Sequence, residues 1–198
     1  MPISEQWGNP LTINTKGKVN PVSCDLVFST NINKAFANTY SGYEDNCKGY
    51  LQAFRPGFVH GFSFRPRQGG LHGQSPLAIM SRPSTEKAQY IFSVPNRLHY
   101  KDEPSSIIVG ASLQSLILPI KSLNIKTLAI PSTLLHTDES DTYILETMLE
   151  DLAHAIPDTD IVLCRFNDAM LAGGSEPLEG DGNNIIYLGN DVTTNIPD

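Results

Sequence analysis

The sequence has few cysteines, few basic residues and no long apolar run. Its three cysteines, Cys24, Cys47 and Cys164, form neither a CxxC pair nor a cluster with histidine, so we expect no metal site. Their odd number and wide spacing favour reduced thiols in a cytoplasmic protein. Only 14 lysines and arginines stand against 21 aspartates and glutamates, for a net charge of −7. That balance argues against broad binding of nucleic-acid backbones.

The absence of long apolar segments also limits the possible classes. No run approaches the ~20 apolar residues that a membrane span needs, and the polar first ten residues lack the core of a signal peptide. A length of 198 residues, 40% of them hydrophobic, fits one globular domain over residues 1–198. We therefore expect a single cytoplasmic domain with no membrane partner and no cofactor.

Apolar strands alternate with amphipathic helices in the second half of the chain. This order predicts right-handed βαβ units, and hence a three-layer α/β domain with a parallel sheet between helices. Pro119 predicts a kink or an early end in its helix. Strands are predicted over 25–30, 58–64, 77–80, 89–95, 126–131, 160–166 and 185–189, and helices over 33–43, 105–123 and 141–156.

Two segments have the composition of loops. Residues 65–88 are rich in glycine, proline, serine and arginine, which indicates a long loop or an insertion. Residues 172–184 are acidic and glycine-rich, which indicates a flexible loop.

The loop after the strand 126–131 has no glycine. Ligands in α/β proteins usually bind where loops leave the carboxyl ends of parallel strands. Loops that hold phosphate there are normally glycine-rich, because the backbone must approach the anion closely. This loop instead carries Leu134, Leu135, His136 and Asp138. It is either a ligand loop with altered chemistry or one that has lost its ligand.

Three stretches, in order, resemble macro domains, especially the branch with the DarG antitoxin and the terminal ADP-ribose glycohydrolases. They are "DLVFSTNINKAFANTY" with the later "RPGFV", "YIFSVPNRLHY", and "KTLAIPSTLLHTDES" with the helix after it. The resemblance covers about residues 22–165. It implies a three-layer α/β/α fold with a mixed, mostly parallel central sheet. It also implies an ADP-ribose site at the carboxyl ends of the strands.

The resemblance implies roles for particular residues, with departures. Arg97 stands at the catalytic lysine of the family, and Asp138 stands near a functional aspartate of the glycohydrolase branch, so these two are the catalytic candidates. Arginine stays protonated and is a poor base, so catalysis is expected to be weak or absent. Asp25 matches an acidic residue that contacts adenine, and Lys34 matches a lysine at the helix start. Both glycine-rich loops are replaced by side chains that would crowd a diphosphate.

Each candidate also has a structural interpretation. Arg97 and His99 either clamp a phosphate or lie in a solvated turn. Asp138 either pairs with His136 as acid and base or caps the next helix. Asn31 either binds a ribose or ends a strand in an Asx turn. The complete predicted ligand-binding set is Asp25, Asn31, Lys34, Arg97, His99, Thr133 and His136.

Two functions remain open at this point. The first is a module that recognises ADP-ribose or an ADP-ribosylated macromolecule, acting as a glycohydrolase if it is active. The alternative is a macro-like domain without a nucleotide site that acts by protein contact. Its partner would be, for example, an ADP-ribosyltransferase toxin of a toxin–antitoxin defence system. The hydrophobic Leu134 and Leu135 in the loop after the strand 126–131 would suit such a partner surface better than an anion site.

Overall fold

The fold is described from a computed structural model of the chain, which covers residues 3–66, 89–135, 139–172 and 180–188. The strands are β1 (Ile3–Trp7), β2 (Gly17–Ser23), β3 (Phe58–Pro66), β4 (Gln89–Arg97), β5 (Thr127–Pro131), β6 (Asp160–Arg165) and β7 (Gly180–Leu188). The α-helices are α1 (Asn31–Thr39), α2 (Tyr43–Lys48), α3 (Ser106–Ser122), α4 (Glu139–Ala155) and α5 (Asp168–Ala172). Short 3₁₀ turns cover Leu51–Ala53 and Ser132–Leu134.

The seven strands form one sheet in the order β1-β6-β5-β2-β4-β3-β7. The four neighbouring pairs from β1 to β4 are parallel, and β3 is antiparallel to both β4 and β7. The sheet is therefore mixed and mostly parallel, as predicted.

Helices cover both faces of the sheet. Apolar side chains of α3 and α4, such as Leu116 and Leu149, form one core with their face of the sheet. Side chains of α1, α2 and α5, such as Phe36 and Leu171, form a second core on the other face. Neighbouring strand residues point to opposite faces, so Ile91 joins the second core and Phe92 the first. This confirms the three-layer architecture.

The strand predicted over 25–30 is wrong. The strand in that part of the chain is β2, Gly17–Ser23, and all seven of its residues are buried. Its sequence, GKVNPVS, has only two valines as typical strand residues, so the apolar pattern does not reveal it. Residues 24–30 form the turn between β2 and α1, in which Leu26 has a positive φ of 51°.

The remaining predicted elements are near their observed positions. Strands 58–64, 89–95, 126–131 and 160–166 correspond to β3, β4, β5 and β6, and the three predicted helices correspond to α1, α3 and α4. Pro119 does not end α3, which continues to Ser122 with Leu116 and Ile120 buried on its inner side. The predicted strand 77–80 lies outside the described residues.

The final predicted strand is longer than expected. β7 spans Gly180–Leu188 at the edge of the sheet, so residues 180–184 of the segment expected to be a flexible loop lie in a strand. Arg65 and Pro66, the first residues of the expected loop 65–88, end β3. Within the described ranges, no helix combines the length and apolarity that crossing a bilayer requires.

A chain of buried polar side chains passes through the second core. The Asn20 amide nitrogen donates to the Tyr43 hydroxyl at 3.0 Å, and that hydroxyl lies 2.6 Å from Ser93 Oγ. Ser93 Oγ lies 3.2 Å from the sulfur of Cys47. All four residues are fully buried. Such groups need mutual hydrogen bonds, because burial without a partner is costly.

His60 lies at the end of this chain of hydrogen bonds and determines which of its neighbouring atoms donate. Its Nε2 lies 2.7 Å from Asn46 Oδ1, so Nε2 carries the proton and donates to that acceptor. Nδ1, 3.5 Å from the Cys47 sulfur, is then the acceptor of the thiol proton. Burial lowers the pKa of His60 from its usual value near 6.5 to about 4. The imidazole is therefore neutral in the folded protein at neutral pH.

We expect the stability of the protein to fall as the pH decreases from 6.5 towards 4. In this window the unfolded chain binds a proton at His60 that the folded chain does not, so the free energy of unfolding decreases. The His60 contribution is at most about 3 kcal/mol. Urea denaturation at pH 7 and pH 4.5 measures the change in the free energy of unfolding. In His60→Gln the loss between these pH values should be smaller by about 2 kcal/mol. His154→Gln, on the exposed side of α4, is the control. An unchanged pH dependence in His60→Gln would contradict the prediction.

Candidate functional site

A cleft of about 240 Å³ opens at the carboxyl ends of the parallel strands. This is somewhat less than the roughly 300–1,000 Å³ of a typical small-molecule pocket. It lies where α/β sheets usually bind ligands. Its lining consists of Pro21, Thr30, Asn31, Ile32, Asn96, Arg97, Glu103, Pro104, Thr133, Phe166 and Asp168.

The cleft lies where β2 and β5 separate. Their pairing is recorded only at Gly17 with Leu128 and Lys18 with Ala129, whereas β2 remains paired with β4 up to Ser23. Pro21 lies beyond the last β2–β5 pair and has no N–H to donate to a neighbouring strand. Pro21 therefore stands at the point where the two strands separate and the cleft begins.

One wall of the cleft is Asn96 together with the turn after β5. Asn96 is 3% exposed, and its amide nitrogen donates to the carbonyl oxygen of Leu134 at 3.1 Å. This bond fixes the orientation of the amide and leaves Oδ1 as an acceptor. Among the described residues, neither Asn96 Oδ1 nor the buried hydroxyl oxygen of Thr133 has a hydrogen-bond partner.

Among the described residues that line the cleft, Arg97 is the only positively charged one. Its backbone carbonyl accepts from the N–H of Cys24 at 2.9 Å, and its Nη1 donates to the Asp102 carbonyl at 3.4 Å. Its Nε is buried and has no partner in the part of the chain that the structure describes. Asn96 Oδ1, Thr133 Oγ1 and Arg97 Nε are called the open polar atoms below.

The first turn of α1 forms the opposite side of the cleft. Thr30 caps the helix, accepting from the N–H of Asn33 at 3.2 Å, and Asn31 and Ile32 line the cleft. The Asn33 amide nitrogen donates to Asn20 Oδ1 at 2.9 Å and to the Pro21 carbonyl at 2.6 Å, which ties α1 to β2. The positive end of the helix dipole therefore faces the cleft.

Asp25 and His99 lie together but do not line this cleft. Asp25 Oδ2 accepts from the backbone N–H of Tyr100 at 3.2 Å and lies 3.6 Å from His99 Nδ1. Partial burial opposes ionisation of Asp25. The hydrogen bond from the Tyr100 N–H and the nearby His99 imidazole, together with other polar groups around the carboxylate, outweigh it and lower the pKa of the carboxyl below its usual value.

The predicted site residues thus fall into groups. Asn31, Arg97 and Thr133 line the cleft, and Asp25 and His99 form a neighbouring pair. Lys34 is exposed on α1 and does not line the cleft. His136 and Asp138 lie outside the described residues.

Leu134 and Leu135 do not form a surface for a partner, so that expectation is wrong. Both are buried, Leu134 completely, in the core between the sheet and helices α3 and α4. The two leucines of the glycine-free turn after β5 therefore pack into the core, while Thr133 lines the cleft.

The turn between β2 and α1 is also different from the expectation. It runs over residues 24–30, and its side chains were expected to crowd a ligand. Leu26 adopts the left-handed backbone that glycine normally takes. Its side chain is 2% exposed and packs in the second core, so it does not crowd the cleft.

Sequence reasoning missed several residues of the cleft. Asn96 is a polar residue that directly follows an apolar strand, which was an available signal. Glu103, from the loop after β4, and Asp168, the first residue of α5, bring two carboxylates, and with Arg97 they give the described part of the lining a formal charge of −1. Among the described residues no group of three potential metal ligands occurs.

Cys47, His60 and Asn46 have the connectivity of a nucleophile, a base and an orienting residue. Burial raises the pKa of the Cys47 thiol to about 12 and lowers that of His60 to about 4. A reactive cysteine needs a thiolate and access, and both Cys47 and His60 are fully buried. The arrangement is therefore structural.

The fold is similar to that of solved macrodomains. The macrodomain of Mycobacterium tuberculosis DarG aligns over 82% of this chain and 96% of its own, with 21% identity and a TM-score of 0.61. The macrodomain of Thermus aquaticus DarG aligns over 83% and 99%, with 17% identity and a TM-score of 0.53. Thermosipho africanus DarTG in complex with ADP-ribose aligns over 81% of this chain and 40% of its own, with 12% identity and a TM-score of 0.53.

No family model and no curated protein matches the sequence. The identities to the solved structures are low, so the similarity establishes the fold. The chain has the macro domain fold.

We expect Leu26→Gly to destabilise the protein although glycine suits the backbone there. Relief of the left-handed strain gains about 1–2 kcal/mol, but loss of a buried leucine costs about 2–5 kcal/mol or more. The net loss should be about 1–4 kcal/mol in urea denaturation. Asn124→Gly is the matched control, because Asn124 has a similar φ of 52° and is exposed. Equal stability of Leu26→Gly and the original protein would contradict the assignment of Leu26 to the core.

Proposed function

We propose that this chain recognises ADP-ribose or an ADP-ribosylated macromolecule in the cleft between β2, β4 and β5, with weak or absent catalysis. The macro domain fold and the position of the cleft at the carboxyl ends of the strands support this proposal. One structurally similar protein was solved in complex with ADP-ribose.

The open polar atoms are the observation that carries the proposal. A buried donor or acceptor without a partner costs about 1–3 kcal/mol, and native proteins keep few of them. All three atoms are buried in residues that line one cleft, and we propose that a ligand bound there supplies their partners once the side chains around them shift. A ligand with both acceptors and donors is required, because Arg97 Nε donates and Asn96 Oδ1 accepts.

A phosphorylated sugar has this combination of groups. The first turn of α1 and the Arg97 guanidinium together offer donors and positive potential to a phosphate. Asn96 Oδ1 and the carboxylates of Glu103 and Asp168 offer acceptors to sugar hydroxyls. ADP-ribose contains a ribose phosphate at its terminal end and so fits both sides of the cleft.

The other predicted residues have proposed roles around this centre. Asp25 and His99 would contact the adenosine end of the ligand, and His136 would lie beside the phosphates. Asp138 would orient the terminal ribose or an attacking water if any turnover occurs. Arg97 remains protonated and provides neither a nucleophile nor a base, so we propose recognition rather than efficient hydrolysis.

ADP-ribose is expected to bind with a Kd in the micromolar range, about −8 kcal/mol. Arg97→Ala should weaken binding by roughly 10-fold or more, because a charge-assisted hydrogen bond contributes about 1.5–3 kcal/mol. Isothermal titration calorimetry of the original protein, Arg97→Ala and Asp138→Ala measures the effect. Lys121→Ala is the matched control, because it removes one positive charge at the opposite end of the sheet.

The absence of detectable binding by a folded protein would contradict the proposal. The alternative, a macro-like domain that acts through a protein partner such as an ADP-ribosyltransferase toxin, would then be favoured. Equal weakening in Arg97→Ala and Lys121→Ala would indicate a general charge effect and place the ligand elsewhere.

A further inference from the structure

We infer that the outer edge of β1 is a docking site for an extended segment of a partner protein that is rich in lysine or arginine. The segment would pair with β1 as an additional strand of the sheet. β1 is at one edge of the sheet, and β6 separates it from the strands around the cleft. The inference therefore goes beyond the proposed function and concerns a different surface.

One edge of β1 faces away from the sheet. β6 is the only strand that pairs with β1 in the described part of the chain. The N–H of Gly8 donates to the Arg165 carbonyl at 2.9 Å, and the backbone groups of successive strand residues point to alternate edges. The N–H and C=O groups of Glu5 and Trp7 therefore point away from β6. An added strand would form its ladder with these groups.

Two exposed aromatic residues lie beside this edge. Trp7 is 64% exposed and is the register partner of Arg165 on β6. Tyr143 is 73% exposed and lies one helical turn before Glu146 on α4, and Glu146 is an ion-pair partner of Arg165. Both aromatic residues are therefore near the Arg165 side chain. Large aromatic side chains are typical anchors of protein interfaces.

The exposed charge near these aromatic residues is negative. Arg165 Nε lies 2.5 Å from Glu5 Oε1, and Arg165 Nη2 lies 3.6 Å from Glu146 Oε1. The side chains of both glutamates are 46% exposed and that of Arg165 is 24% exposed, so the carboxylates are the charges that a partner would contact. Complementary charge favours association. A lysine or arginine of the partner can contact a carboxylate here while its alkyl stem or its cation lies over the Trp7 ring.

The opposite face of β1 borders a groove of about 510 Å³. Ser4 and Gln6 form the β1 side of the groove, and Asp160 is the only charged residue among the described residues that line it. Side chains of an added strand would alternate between the two faces of the sheet. Every second side chain would therefore reach the glutamates and Trp7, and those between would reach this groove. Strand addition commonly combines backbone hydrogen bonds with such pockets for alternate side chains.

A second copy of this chain is a poorer partner for the edge. Antiparallel pairing of two β1 strands over all five residues would place Ile3 opposite Trp7 and the two copies of Glu5 opposite each other. Like charges directly opposite each other destabilise a pair of strands. The net charge of the chain is −7, which also disfavours self-association and favours a basic partner.

Fluorescence titration with three peptides of about nine residues tests this inference, because Trp7 is the only tryptophan of the chain. The basic peptide alternates lysine with valine, the acidic peptide has glutamate in place of lysine, and the proline peptide has proline in place of valine. The basic peptide should bury the indole and shift its emission to shorter wavelength, with a Kd below about 1 mM. The other two should bind at least about 10-fold more weakly. The acidic peptide lacks the complementary charge, and the proline peptide lacks every second N–H and favours the polyproline II conformation.

Two substitutions of Glu5 isolate the backbone hydrogen bond. Glu5→Thr removes the carboxylate and keeps the N–H, whereas Glu5→Pro removes both. Neither removes a donor from the β6 ladder, because this N–H points away from β6. In the same fluorescence titration, Glu5→Pro should bind the basic peptide roughly 3- to 10-fold more weakly than Glu5→Thr does, which is the effect of one hydrogen bond.

Trp7→Ala tests the aromatic anchor, with the fluorescence anisotropy of a labelled basic peptide as the measurement. Loss of an interface anchor should weaken binding by roughly 10-fold or more. Ile107→Ala is the matched control and should keep the original affinity, because Ile107 is 83% exposed but lies on α3. The affinity for ADP-ribose should be the same in Trp7→Ala as in the original protein, since Trp7 does not line the cleft.

The outcomes separate this inference from the proposed function. The inference is overturned by the absence of a saturable shift with the basic peptide up to about 1 mM, or by equal affinities for the basic peptide and either of the other two. Equal affinities of Glu5→Pro and Glu5→Thr, or an unchanged peptide affinity in Trp7→Ala, also overturn it. If Glu5→Pro does not fold, the peptide comparison and Trp7→Ala decide the question. ADP-ribose binding alongside any of these negative results leaves the proposed function standing. Peptide binding with the expected losses, but without ADP-ribose binding, supports the inference and overturns the proposed function.

Discussion

The hydrogen bond from Asn96 to the Leu134 carbonyl is the interaction on which the cleft depends. It joins the end of β4 to the turn after β5, although the two strands are separated in the sheet by β2. Because Leu134 is packed in the core, the bond holds Asn96, and with it this wall of the cleft, in a fixed position relative to the core. A glycine-rich loop would present backbone N–H groups to an anion. This loop presents side chains whose positions are fixed by packing.

The opposite side of the cleft is held by a second set of polar contacts. Asn33 connects α1 to Asn20 and to the Pro21 carbonyl, and Asn20 continues into the buried chain through Tyr43, Ser93, Cys47 and His60. Buried networks of this kind favour one arrangement, because a shift would break hydrogen bonds and leave more groups unpaired than Asn33 Oδ1, which already lacks a partner among the described residues. The first turn of α1 is therefore as well fixed as the wall formed by Asn96, which suits a site that binds a rigid small group.

The sequence predicted the three-layer fold and most elements, because the second half of the chain follows simple apolar periods. It failed at β2, whose buried residues include a lysine, an asparagine, a proline and a serine. Those polar residues serve tertiary contacts: Lys18 donates to the Ile13 carbonyl and to Thr15, and Asn20 enters the buried chain. No local pattern encodes such long-range partners. For the same reason Leu134 was predicted to be exposed, because a leucine in a loop gives no sign of whether the core extends beneath it.

Part of the site was predictable and part was not. Asn31, Arg97 and Thr133 follow from the rule that ligands bind at the carboxyl ends of parallel strands. Glu103 and Asp168 do not, because Glu103 lies in the loop after β4 and Asp168 begins α5, and the positions of both depend on the tertiary fold. Their presence beside Arg97 alters the chemistry of the cleft, since two carboxylates oppose the binding of several phosphates but accept hydroxyl protons. Arg97 is permanently protonated, so in the described part of the cleft this side chain supplies positive charge and hydrogen-bond donors rather than a base.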